Sequence, residues 1–396
     1  MKAFTQSMSK SKDFLFPLIA FALPLSKAIV PILIALVLLF WILEADFRNK
    51  FASLKSKSFL QQIALYIFLL VGLSYTENTA AGGFDMEQKM SLLLFPLLLF
   101  TSIKLDDEKQ MQIERNFVFG CLLSIILCLV NASIHYYNSY SLDSFFYASF
   151  SCIMHPSYYG MYLCMACVFV LFRKDLLFKT FYKIPASLFL SLGVVLASSK
   201  SALLTLLLVF TAKVFHKIIV KRDYKSSIVI LGSLLIVLCS MFVIFPKSIS
   251  RLSDMTQTLQ SHTSELNTTS SRIVIWKHSV EKILQKPLFG YGTGDVNDVL
   301  QESYQEKNES HIKELKLNAH NQYLQTTLAL GLVGLLALVF PYFTLAIIAM
   351  KSKDFIIAGF VLVVCFNLLF EAMYETQAGI VFIAFFLSLF LKKSKA

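Results

Sequence analysis

The chain has 396 residues, of which 56% are hydrophobic and only 15% charged, with 37 phenylalanines and a mean hydropathy of +0.66. A soluble fold of this length has far more surface than so few polar residues can cover, so the composition excludes a water-soluble globular protein. The formal net charge of +11 comes without a basic, aromatic-interleaved patch. It therefore argues for membrane lipids, whose anionic inner leaflet attracts Lys and Arg, and against nucleic acid as the partner.

Lipid tolerates only helices and closed barrels, because the backbone finds no water there. The apolar runs of this chain are continuous rather than alternating, which predicts helices. In chain order twelve are expected: Phe14 to Leu25, Ile29 to Leu43, Phe59 to Ser74, Met90 to Ile103, Phe117 to Ile134, Tyr158 to Phe172, Ile184 to Ser198, Ala202 to Phe215, Ile228 to Phe245, Gln322 to Ala349, Phe355 to Phe370 and Ala378 to Leu391. The first apolar run is read as a span rather than as a cleaved signal peptide. The expectation is an all-α integral membrane protein, one polytopic domain over 1–396 with a single large loop at 246–321.

Most Lys and Arg fall on one side of this ladder when the N-terminus is placed inside, from Lys2, Lys10 and Lys12 to Lys392, Lys393 and Lys395. The positive-inside rule then puts both termini in the cytoplasm and the large loop outside. Seven cysteines are scattered, most of them within spans. Cys164 and Cys167 have CxxC spacing, but in an apolar helix this reads as packing, and neither a disulfide framework nor a metal site is expected. Away from their ends the spans hold almost no ionisable residues, which weighs against a proton- or ion-coupled carrier.

The one long polar stretch, from Phe245 to Leu324, is where chemistry is expected. It opens with a Ser- and Thr-rich run, Ser250 to Ser271. Beyond Ser270 and Ser271, which can cap a helix, Ile273, Trp276, Val280, Ile283 and Leu284 share one helical face. This reads as an amphipathic helix lying on the membrane or covering a cavity. Arg272 stands in its first turn, where a guanidinium and unpaired amides can hold a phosphate, or where an arginine is simply on the surface. Pro287 then ends the helix, and Gly290, Gly292 and Gly294 allow a tight turn that is a weak phosphate signature and a better structural one. His320 and Asn321 precede the next span; a histidine at such a mouth can accept a proton from a hydroxyl near neutral pH or be a satisfied interfacial residue.

The order Ser271-Arg272, Trp276, Pro287, Gly290, Gly292, Gly294, His320-Asn321, Tyr323-Leu324, Gly331 and Gly334 resembles the hallmark region of the O-antigen ligase and polymerase superfamily. Three further elements are similar to that family. They are Ser74 to Asn78 running on to Glu87, His155-Pro156-Ser157-Tyr158-Tyr159-Gly160, and Leu369-Phe370-Glu371. One element departs from it: Ser198-Ser199-Lys200-Ser201 has a lysine where the family has an arginine, so the charge is kept and the bidentate fork is lost.

The resemblance implies a GT-C-like bacterial inner-membrane protein whose large loop is periplasmic. It also implies transfer of a glycan from an undecaprenyl-diphosphate carrier to a hydroxyl of the lipid A-core, with inversion and without metal, nucleotide or other cofactor. His320 would be the general base and Arg272 and Lys200 would hold the diphosphate. Trp276, Asn321, Tyr323, His155 and Tyr159 complete the expected binding set, although an interfacial aromatic belt is the better reading of the tyrosines. A polymerase or a protein O-oligosaccharyltransferase of the same superfamily is the alternative. A lipid-linked glycan flippase, which would need a polar path through the spans and not His320, ranks below both.

Overall fold

The computed structural model describes residues 14–44, 47–103, 105–177, 180–220, 268–307 and 317–393, with residue 309 and short pieces between 222 and 235. Among these residues the regular structure is entirely helical. In chain order the helices are α1 (14–22), α2 (Ile29–Leu43), α3 (Phe47–Leu54), α4 (Lys57–Gly72), α5 (Thr79–Gln88), α6 (Ser91–Ser102), α7 (Asp107–Ser139), α8 (Tyr147–Phe150), α9 (Pro156–Phe172), α10 (Lys183–Ala197) and α11 (Lys200–Phe215). After the large loop begin α12 (Thr268–Gln285), α13 (Val296–Glu306), α14 (Gln322–Ser352), α15 (Phe355–Leu368) and α16 (Gln377–Lys393). Helices thus occupy the first eight and last three of the expected span positions. Most of the ninth, Ile228 to Phe245, and most of the run from Ser250 to Ser271 lie outside the described residues.

Among the described residues four helical stretches are long and apolar enough to cross a membrane: Lys57–Tyr75, Asp107–Ser139, Lys200–Ile219 and Gln322–Ser352. The apolar helices at Ile29–Leu43, Pro156–Phe172, Lys183–Ala197 and Phe355–Leu368 are shorter. Helix α7 runs well beyond the apolar segment that predicts it. Asp106 caps its start by accepting from Lys109 N at 2.8 Å, and Tyr140 closes its end in the left-handed conformation.

Helices α9 and α16 form the core. Every residue from Pro156 to Val170 and from Ala378 to Leu391 is buried, as befits helices apolar on all sides. They meet through phenylalanine: Tyr162 stacks on Phe382 at 4.5 Å, and Phe117 of α7 meets Phe386 edge-on at 4.9 Å. Such aromatic pairs add to the packing that holds helices together where lipid supplies no hydrophobic drive.

At one end of this bundle lysines sit on the carbonyls left open where helices stop. Lys50 Nζ donates to Trp41 O at 2.5 Å, Lys213 Nζ to Leu171 O at 2.5 Å and Lys392 Nζ to Leu99 O at 2.6 Å. Cations there complement the negative helix ends. The same end holds a buried bidentate pair, Arg173 with Glu114 at 2.5 and 2.6 Å, braced by Gln110.

Candidate functional site

At the opposite end, α14 is broken. Gly331 has φ +64° and ψ −160° inside the helix, and a Cβ there would lie 2.2 Å from the Leu288 backbone. The break leaves backbone groups unpaired on both sides, and the glycine turn takes them up. Tyr291 N donates to Leu328 O and Gly292 N to Ala329 O, both at 2.9 Å, while Leu332 N donates to Pro287 O at 2.8 Å. Gly290 adopts φ +69° against the Leu328 carbonyl, so only glycine fits. The turn is therefore a plug in a membrane helix rather than a phosphate cradle, which satisfies the rule that broken backbone must find partners.

The plug is held from its other side by the early loop. Asp295 accepts from Glu77 N at 3.0 Å and Asn78 N at 2.8 Å, and Tyr75 Oη donates to Phe289 O at 2.7 Å. Asn78 also caps α5, accepting from Ala81 N. This helix was not expected from the sequence, where Gly82 and Gly83 lower its propensity.

Helix α12 turns its polar face into the fold. Its buried residues are Ser271, Ile275, His278, Ser279 and Lys282, whereas Ile273, Val280 and Leu284 are exposed and Trp276 and Ile283 are half-buried. The inward face is polar because α13 answers it: His278 Nδ1 and Ser303 Oγ share a hydrogen bond of 2.7 Å. The apolar stripe points out of the fold.

Trp276 is used on the inner side. Its Nε1 donates to Ala319 O at 3.0 Å, which fixes the backbone just ahead of His320. His320 itself has φ +43°, and its N–H donates to Asn318 Oδ1 at 3.0 Å. Left-handed backbone is uncommon outside glycine and is kept only where neighbours impose it. Asn321 then caps α14, accepting from Leu324 N at 3.1 Å. Held in this way, the His320 ring reaches Glu371, with Nδ1 2.8 Å from Oε1. The second carboxylate oxygen lies 3.4 Å from Arg272 Nη2. The Glu371 side chain is 7% exposed, against 22% for His320 and 31% for Arg272.

His155 belongs to the same electrostatic group. Burial holds its imidazole below the ordinary value; the Glu371 charge opposes this, and Arg272, His320 and Lys27 add to it. Burial alone would push the Glu371 carboxyl up, but the His320 hydrogen bond and the charges of His320, Arg272 and His155 bring it below the usual range. Lys200 is the first residue of α11 and is exposed. The hairpin that carries it packs on Gly160 of α9, about one turn inside the His155 cap.

Two of the expected binding residues make contacts inside the bundle. Tyr159 is wholly buried, with its Oη 3.0 Å from Ser124 Oγ, and Tyr323 Oη donates to Cys365 O at 2.9 Å between α14 and α15. Each hydroxyl thus has a partner within the bundle.

Glu371 was visible in the sequence as an acidic element and received no role; what it does appears only when α15 brings its loop to His320. A second carboxylate on that loop was missed altogether. Glu375 Oε2 lies 2.8 Å from Lys89 Nζ, which also pairs with Asp85 at 2.7 Å, and Lys89 is only 5% exposed. Gln322 links this cluster to the histidine loop: its Oε1 accepts from Tyr374 N at 2.7 Å and its Nε2 reaches Glu375 Oε1 at 3.5 Å. The segments that carry His320 and Glu371 are thus sewn together beneath the site.

Residues 185–339 match the family model described as O-antigen ligase. Over that stretch the chain is similar to the O-antigen ligase family. The matched region takes in Lys200, Arg272, the glycine turn, His320 and Gly331, whereas His155 and Glu371 lie outside it. No curated protein matches the chain. The matched region supplies His320 and the partly open Arg272, and Glu371, from beyond it, bridges the two.

Proposed function

We propose that the chain is a lipid-linked glycan transferase, and specifically an O-antigen ligase that moves a glycan from undecaprenyl diphosphate to a lipid A-core hydroxyl. The observation that carries this reading is the Glu371 bridge between His320 and Arg272. With His320 Nδ1–H donating to the carboxylate, Nε2 is left to accept the proton of the acceptor hydroxyl. The hydroxyl oxygen attacks the anomeric carbon as the bond to the diphosphate oxygen breaks on the opposite face, so the configuration inverts. Glu371 stabilises the imidazolium that forms.

Arg272 uses only one edge on Glu371 at 3.4 Å, which leaves guanidinium donors for the departing diphosphate, with Lys200 as the second cation. The reading calls for no metal or nucleotide, so cationic side chains carry the leaving-group charge, and they act more strongly in a shielded site than in open water. In this arrangement the chain crosses the inner membrane twelve times in a GT-C-like manner. Both termini are cytoplasmic and 246–321 is a periplasmic loop, and the exposed stripe Ile273, Val280 and Leu284 rests on the bilayer.

Deleting the gene and running a glycan gel tests the assignment. Loss of all long-chain lipopolysaccharide with accumulation of carrier-linked polymer is the expected result. A single-repeat ladder would assign the chain to the polymerases instead, and unchanged glycans on intact carrier would remove the transferase reading.

A further inference from the structure

Cys128 lies in α7 and Cys152 in the segment between α8 and α9, three residues before His155. Their Sγ atoms are 3.7 Å apart. Cys128 is fully buried, while Cys152 is exposed. Other thiols of the chain lean on backbone carbonyls instead, Cys121 towards Tyr162 O and Cys164 towards Ala202 O. The pair therefore differs from them in having both a sulfur partner and a side open to a reagent.

We propose that Cys128 and Cys152 are a site of disulfide formation that ties the His155 segment to α7. The oxidant is a disulfide of the outer compartment, protein or glutathione. The Cys152 thiolate attacks one oxidant sulfur and breaks its S–S bond, releasing a first thiol. Cys128 then attacks the Cys152 sulfur of the mixed disulfide and releases the second. Two cysteine thiols are oxidised, one oxidant disulfide is reduced to two thiols, and the two S–H protons end on those thiols. Bonding brings the two sulfurs, 3.7 Å apart, closer by about 1.7 Å. The bond fixes the chain entering the α9 cap, where His155 accepts from Ser157 N.

Formation in the cell rests on the external placement proposed above for this end, because disulfides persist in oxidising compartments and not in the cytosol. The test is peptide mapping of the full-length protein. One sample is trapped in intact cells with N-ethylmaleimide and digested without reductant; a second is purified in detergent and exposed to oxidised glutathione first. Both are expected to yield one cross-linked peptide pair that reductant splits and that is lost in Cys152→Ser. Linkage only after added glutathione upholds the pair and counts against the external placement. Both thiols alkylated in both samples overturns the proposal.

Discussion

Glu371 accepts from His320 Nδ1 at 2.8 Å from a loop that follows α15, far along the chain from the segment that presents the histidine. The same carboxylate meets Arg272, so removing its charge disturbs both partners. His320→Ala is expected to lower transfer roughly 10²- to 10⁴-fold, the range for a lost general base. Glu371→Gln, which keeps the volume, is expected to fall in a similar range, because the ring loses its orienting anion. Consumption of the lipid-linked donor by membranes with matched protein levels measures both. Wild-type rates in Glu371→Gln would remove it from the mechanism.

Arg272 is judged by what a lysine can restore. Arg272→Ala should abolish transfer at normal protein levels. Arg272→Lys keeps the charge and loses the planar fork, and is expected to fall between the two. Equal rates for Arg272→Ala and the wild type would confine the residue to its contact with Glu371.

The ladder of helices was legible because lipid forces apolar runs into helices and leaves them little choice of fold. The apolar stripe of α12 was legible too, but its spacing left open whether it lies on the membrane or covers a cavity, and Ile273, Val280 and Leu284 face out of the fold. Arg272 and His320 could be picked out as polar residues at special places. Their meeting through Glu371, and the anchoring of Glu375 by Lys89, depend on contacts between distant segments that no local spacing encodes.

Gly331→Ala tests the plugged helix. Its φ of +64° disfavours any side chain, and the added Cβ would meet the Leu288 backbone, which has no flexible end to give way. A loss of about 1–3 kcal/mol is expected. It would be read as a lower unfolding temperature in detergent together with reduced transfer. An unchanged melt would show that the turn is not held there.

Lys89→Met strands Asp85 and Glu375 against each other in a buried place. Breaking one partner of a buried ion pair typically costs about 3–5 kcal/mol, because a charge is left uncompensated. The double variant Lys89→Met with Glu375→Gln removes one of the stranded charges and should recover part of the loss. If the single and double variants melt alike, the cluster is not an energetic unit.

His155 supplies a pH dependence whose sign follows from its surroundings. Burial favours the neutral ring in the folded protein, and Arg272, His320 and Lys27 act in the same direction against Glu371. As pH falls, the unfolded chain takes up the proton first. The contribution to stability is therefore whole above an ordinary imidazole value of about 6.5 and is lost as pH falls through the lower folded value. Glu371, also depressed, loses its contribution only below the usual carboxylate range, so the two windows separate. His155→Asn keeps a side chain suited to capping α9 and removes the titration. Between about pH 7 and pH 5.5 the wild type is expected to lose more thermal stability than this variant, as read by melting in detergent at each pH. Parallel curves for the two proteins would mean that His155 titrates alike folded and unfolded.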